Sequence, residues 1–158
     1  MAGRIADFVN LNSRFSEVQD YLGKAAPPGK LAGRQHIDPV ELGTSILPFI
    51  NLVEVIRQGE GLRFRFRLVG TRQTFTAGRE VTGKFTEEAV LPEYLDRINQ
   101  NMRAVVQNKT PIYDAFPMPH PRREFIETER VYFPLATDGE TVDMILTVHR
   151  YPDAWDLG

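Results

Sequence analysis

Cysteine is absent from the 158 residues. That removes disulfides, thiol nucleophiles, thiolate metal sites and cysteinyl cofactor adducts together. Histidine is scarce: only His36, His120 and His149 occur. No two of them stand three or four residues apart, the spacing that lets one helix face offer two metal ligands. No serine sits in a nucleophile-elbow context. Neither a metal site nor a catalytic constellation is therefore expected. No charge sign is in excess: 19 Lys and Arg against 21 Asp and Glu give 19 − 21 = −2. Dedicated nucleic-acid binders are usually basic. Long apolar runs are missing too, so nothing reads as a bilayer span. Met1 to Asn10 lacks the apolar centre of a signal peptide. These absences lead us to expect a soluble, cytoplasmic protein with no membrane partner.

What is present suits one domain with a normal core, since 42% of residues are hydrophobic and 25% charged. Ile5, Phe8, Val9, Phe15, Val18 and Leu22 recur near helical spacing, with Gly23 as a stop. This stripe reads either as packing on its own domain or, in the functional reading, as a dimer-forming helix. Residues 23–33 read as a linker. Asp38 and Pro39 start a short helix that Pro48 ends. Phe49 to Arg57 and Leu62 to Leu68 read as a hairpin turning at residues 58–61. That register places Val53 and Val55 with Phe64, Phe66 and Leu68 on one face. Leu52, Glu54 and Ile56 then lie beside Arg63, Arg65 and Arg67.

A short helix follows at Arg72 to Ala77, capped by Thr71, then glycine-broken turns at 78–88. Pro92 opens the clearest helix, with Leu91, Tyr94, Leu95, Ile98, Met102, Val105 and Val106 in one stripe. Three strands close the chain, at Pro111 to Phe116, Glu124 to Leu135 and Val142 to Tyr151. The prolines at 117, 119 and 121 are expected to break the first of these. A two-residue turn at Asp138 and Gly139 would pair Phe133 with Met144 and Val131 with Leu146. The tail from Pro152 holds Trp155. Gly78 to Lys84 imitates a phosphate loop, but Phe85 stands where such a loop needs Ser or Thr.

The segments LAGRQHIDPVELGTSILPFINLVEV, RFRLVGT and GREVTGKFTEE, the long helix, and the hairpin around FPLATDGETVDMIL resemble, in order and spacing, a PAS domain over Leu31 to Tyr151. The match is to small bacterial, stand-alone members. The resemblance implies an α+β fold: a five-stranded antiparallel sheet, helices on one face and an additional N-terminal helix. Residues 1–30 would be the N-terminal helix and linker, and 152–158 a tail. It further implies a sensory or signal-relay module, not an enzyme. Such a module binds a small molecule or a protein partner, pairs as a homodimer and passes its output to a separate signalling protein.

The ligand set expected between sheet and long helix is Phe64, Phe66, Phe75, Phe85, Met102, Val106, Val131, Phe133, Met144 and Leu146. The cofactor is left unnamed. Haem is not expected, since residues 92–108 hold no histidine, and cysteinyl flavin is ruled out by composition. Two other classes stand beside this reading. One is a ketosteroid-isomerase-like enzyme with Glu127 projecting into an apolar cavity. The other is a nucleic-acid binder using Arg63, Arg65 and Arg67.

Overall fold

The computed structural model describes residues 3–4, 13–119 and 125–152, with the side chains of all of these except 3, 4, 13, 75–77 and 119. The strands are β1 (Gly3–Arg4), β2 (Ile50–Gln58), β3 (Gly61–Val69), β4 (Ile112–Pro119), β5 (Phe125–Leu135) and β6 (Met144–Arg150). The helices are α1 (Ser13–Ala25), α2 (Pro39–Leu42), α3 (Thr71–Ala77), α4 (Thr86–Ala89) and α5 (Pro92–Asn108). All pairings are antiparallel, in the order β1-β4-β5-β6-β2-β3. Five strands form the body of the sheet, and the two-residue β1 extends one edge.

Local chemistry accounts for most boundaries. The Asp38 carboxylate accepts from the Val40 amide at 2.9 Å, capping α2. Gly43, at φ +83°, ends α2 after one turn. Pro48 then sits inside a 3₁₀ turn, Leu47–Phe49, where its missing N–H costs nothing. Gly23 does not stop α1, which runs on to Ala25 just before Pro27 and Pro28. Pro117 and Pro119 do not break β4. Beyond its contact with β1 the strand is an edge, so a proline nitrogen there forfeits no ladder bond.

Both faces of the sheet are covered. On the outer face, Phe15, Val18 and Leu22 of α1 pack with Ile50, Leu52, Val131, Phe133, Leu135, Leu146 and Val148. The inner face carries Val53, Val55, Phe64, Phe66, Tyr132 and Ile145, beneath Ile98, Met102 and Val105 of α5. The central strands are therefore buried on both sides, and their alternation alone does not say which side meets which helix. The expected dimer stripe thus has its described half, Phe15, Val18 and Leu22, inside its own domain. Ile5, Phe8 and Val9 lie outside the described residues, as do His120 and Trp155.

Two registers matter for the site. In the β2–β3 hairpin, Val53 faces Phe66, Val55 faces Phe64 and Glu54 faces Arg65, as expected. A bulge between Leu52 and Val53 then carries Leu68 to the outer face, opposite Leu52. Between β5 and β6 the loop is longer than two residues. Asp138 accepts from the amides of Glu140 and Thr141, and Asp143 closes the loop on the Leu135 carbonyl. The pairs become Phe133 with Leu146 and Leu135 with Met144. The slip is two residues, so each side chain keeps its face.

Candidate ligand-binding site

A cavity of about 150 Å³ lies between the inner face of the sheet and α5. Its roof is Tyr94, Ile98 and Met102 of α5, with Ala89, Val90 and Leu91 leading into that helix. Phe66, Val69 and Val81 wall one side, and Met118 and Tyr132 the other. Gly70 shapes this end. A Cβ there would lie 2.4 Å from the Pro48 carbonyl oxygen, and the Gly70 amide bonds the Ile50 carbonyl at 2.8 Å. Only glycine permits that approach, which fixes the start of α3 over the cavity. Gln73 of α3 is buried and accepts a hydrogen bond from the Tyr151 hydroxyl.

The floor is polar. Asn51 pairs with Thr147 across β2 and β6, and Arg130 with His149 across β5 and β6. All four are at least nine-tenths buried. Four of their polar atoms have no hydrogen-bond partner: Asn51 Oδ1, Thr147 Oγ1, Arg130 Nε and His149 Nδ1. Directly opposed residues hold their Cβ atoms about 5 Å apart, so these four side chains are neighbours in the cavity lining.

Arg130 is anchored from behind. Its guanidinium donates to the carbonyls of Phe116 at 3.1 Å and Thr128 at 3.2 Å, and lies 3.6 Å from the Phe116 ring centre. It makes no ion pair among the described residues. Burial depresses its basicity. Burial also lowers His149 well below the ordinary histidine range, with the Arg130 charge second; a hydrogen bond to the Phe49 backbone opposes them. The imidazole is neutral at pH 7. Its other ring nitrogen serves Phe49, which leaves Nδ1 as an acceptor.

A second polar group sits beside the cavity and is fully satisfied. Asp114 of β4 accepts from Arg97 of α5 at 2.7 and 2.6 Å and from Asn101 at 2.9 Å. Burial pushes its pKa up, but the bonds from Arg97 and Asn101 outweigh it and hold the carboxyl at about 2. This clamp ties α5 to the sheet.

Of the residues expected to meet a ligand, Phe66 and Met102 line the cavity. Phe64 is buried in the same inner core, and Val106 packs half-buried against it. Phe85 lies at the β3 edge with the Arg63 guanidinium 3.5 Å from its ring centre. Phe75 belongs to α3, its side chain outside those described. Val131, Phe133, Met144 and Leu146 are on the opposite face, packed with α1. This corrects the face assignment. Those four do share a face, but the apolar partner they meet is α1, not α5.

The residues missed are the ones between them: Arg130, Tyr132, Thr147 and His149. A buried arginine and histidine flanked by Val, Phe and Leu on both-faces-buried strands was the available signal. Glu127 is exposed and does not line the cavity. Glu129, on the same face, is held by Tyr113 at 2.9 Å and Arg150 at 3.1 Å. Arg65 bonds both Glu54 oxygens at 3.2 Å, Arg67 lies 3.7 Å from Glu54, and Arg63 bonds Glu87 at 3.1 Å. Among the described residues no helix is long and apolar enough to cross a membrane, and no cluster of metal-ligating side chains occurs.

The family model for the PAS domain matches residues 13–149. A PAS domain of a Colwellia psychrerythraea protein is similar at 14% identity and a TM-score of 0.53, over 74% of this chain and 99% of that one. A fungal LOV domain photoreceptor is similar at 12% identity and a TM-score of 0.52, over 87% and 91%. A Rhodobacter sphaeroides LOV protein is similar at 9% identity and a TM-score of 0.51, over 89% and 68%. At such identities the likeness concerns the fold. No curated protein matches the chain.

Proposed function

Since this chain belongs to the PAS domain family, we propose that it is a cytoplasmic sensory and signal-relay module whose stimulus is a small molecule held between the sheet and α5. The observation that carries this reading is the cavity whose floor holds four buried, unpartnered polar atoms. Each such atom costs stability, about 1–3 kcal/mol when nothing replaces water. A ligand bonding them offsets that cost.

The relay follows from β6. His149 turns its side chain to the cavity, while its carbonyl accepts from Arg14 of α1 at 2.7 Å. Arg14 also lies over the Phe49 ring, 3.8 Å from its centre. A ligand touching the imidazole therefore acts on the same residue whose carbonyl anchors the outer helix. It shifts α1 only as far as it binds one α1 position better than another. The signal then passes to a separate protein that reads the outer face.

Self-association is assigned to Ile5, Phe8 and Val9, because the rest of that stripe is used internally. Substituting these three by serine should give a monomer in sedimentation; an unchanged mass sinks this part. The ligand reading is tested by native mass spectrometry and an absorption spectrum of the purified protein, followed by a small-molecule thermal-shift screen. Added mass or a melting shift is expected. A bare mass with no shift from any compound would overturn it.

A further inference from the structure

We propose that the cavity selects a small carboxylic acid with a single-ring or branched body and a hydroxyl or N–H group near the carboxylate. The inference rests on the ligand reading above and names the chemistry of that site.

The unpartnered atoms divide into two kinds. Arg130 Nε and the Thr147 hydroxyl are donors, and the Arg130 donor carries a charge. Asn51 Oδ1 and His149 Nδ1 are acceptors. A neutral ligand would satisfy their geometry but leave the guanidinium uncompensated. A buried cation without an anionic partner is costly, and Asp114, the carboxylate whose charge acts on it, is already bonded by Arg97 and Asn101. A bare carboxylate would satisfy the donors and leave the two acceptors empty. An acid that also carries one O–H or N–H satisfies both donors and one of the two acceptors.

The cross-strand pairs set the arrangement. Arg130 lies opposite His149, and Thr147 opposite Asn51, with Thr147 and His149 alternate residues of β6. The patch is one strand-width on either side of β6, so the carboxylate and the donor must be close in the ligand. Size comes from the cavity. About 150 Å³ holds roughly one benzene-sized body, and Phe66, Ile98, Met102 and Tyr132 give that body an apolar enclosure.

Four probes that share one phenyl ring separate the terms: mandelate, phenylacetate, 1-phenyl-1,2-ethanediol and toluene. Affinities are measured on the whole protein by calorimetry or ligand-observed NMR. Mandelate should bind at least about tenfold more tightly than the diol, as expected of a charge-assisted bond, and more tightly than phenylacetate. The diol matching mandelate would overturn the acid. Phenylacetate matching mandelate would overturn the added donor. In both cases the cavity remains a ligand site. If none of the four binds, the ligand reading itself falls.

Arg130→Met should abolish the preference for acids while toluene still binds. Should that variant not fold, Thr147→Val removes a donor with little change of shape. It should weaken mandelate several-fold and leave toluene unchanged; equal affinity for mandelate would count against the proposal.

Discussion

The two faces of the sheet bury similar numbers of side chains but use them differently. Under α1 the face is apolar where Val131, Phe133 and Leu135 of β5 meet Leu146 and Val148 of β6, all almost wholly inaccessible. Under α5 the same two strands alternate Arg130, Tyr132, Thr147 and His149 with those residues, so the space above them has a polar floor, whereas the space beside Ile50, Leu52 and Leu146 on the outer face is lined mainly by apolar side chains. One strand pair thus presents a packed apolar surface on one side and buried polar side chains on the other. The lesson is that burial alone does not locate function. What distinguishes the inner face is that it holds buried polar atoms, four of them without partners.

The largest test of this contrast is on the outer face. Phe133→Ala should lower stability by about 3–5 kcal/mol in urea denaturation, with mandelate affinity unchanged in whatever fraction stays folded. A loss below about 1 kcal/mol would mean that the outer face is not close-packed. Next comes Asp114, an inner-face polar group that does have partners. Its pKa is held at about 2 against an ordinary 3.8. The carboxylate therefore contributes its full share of stability above about pH 4 and loses it as pH falls towards 2. That share is about 2 kcal/mol. Asp114→Asn should destabilise by a similar amount at pH 7 and flatten the acid limb of the stability profile. An unchanged acid limb would show that the clamp is not what acid removes.

The third test reverses the sign. Thr147 has a buried hydroxyl with no partner, so its folded state carries an unpaid desolvation penalty. Thr147→Val keeps the shape and removes the hydroxyl. The ligand-free protein should gain about 1 kcal/mol, read as a raised urea midpoint. A loss of that size would mean that the hydroxyl is bonded in solution and that the floor is not an open binding surface.

Sequence patterning carried much of the fold. The order of elements, the β2–β3 register through Val53 and Val55, the Asp38 cap and the Pro92 start were all legible from local rules. The cavity was only half legible, because alternation has two solutions when both faces are apolar or half-apolar. Val131, Phe133, Met144 and Leu146 look like the better inner face, since the alternate positions include the polar Arg130, Thr147 and His149. The decision depends on what covers each face, and α1 is far away in sequence from β5. Its stripe at Phe15, Val18 and Leu22 reads equally well as a dimer surface or a lid. The bulge at Leu52 and the loop held by Asp138 are also tertiary outcomes, invisible to a rule that counts turn residues.

The smallest effect belongs where the outer face leaves α1 behind. At β3 that face carries Arg63, Arg65 and Arg67 in place of valine and leucine, met by Glu54 and Glu87. These side chains are partly solvated, so water already screens the charges, and ordering two long side chains offsets part of the attraction. Arg65→Ala should therefore cost only about 0.2–1 kcal/mol, shrinking further in salt. Because Glu54 and Glu87 offset two of the three arginine charges, adding mixed DNA or RNA at low salt should leave the protein's mobility unchanged. A shift that fades as salt rises would instead make this stretch a binding surface in its own right, and the division of labour between the two faces would have to be redrawn along the sheet as well as across it.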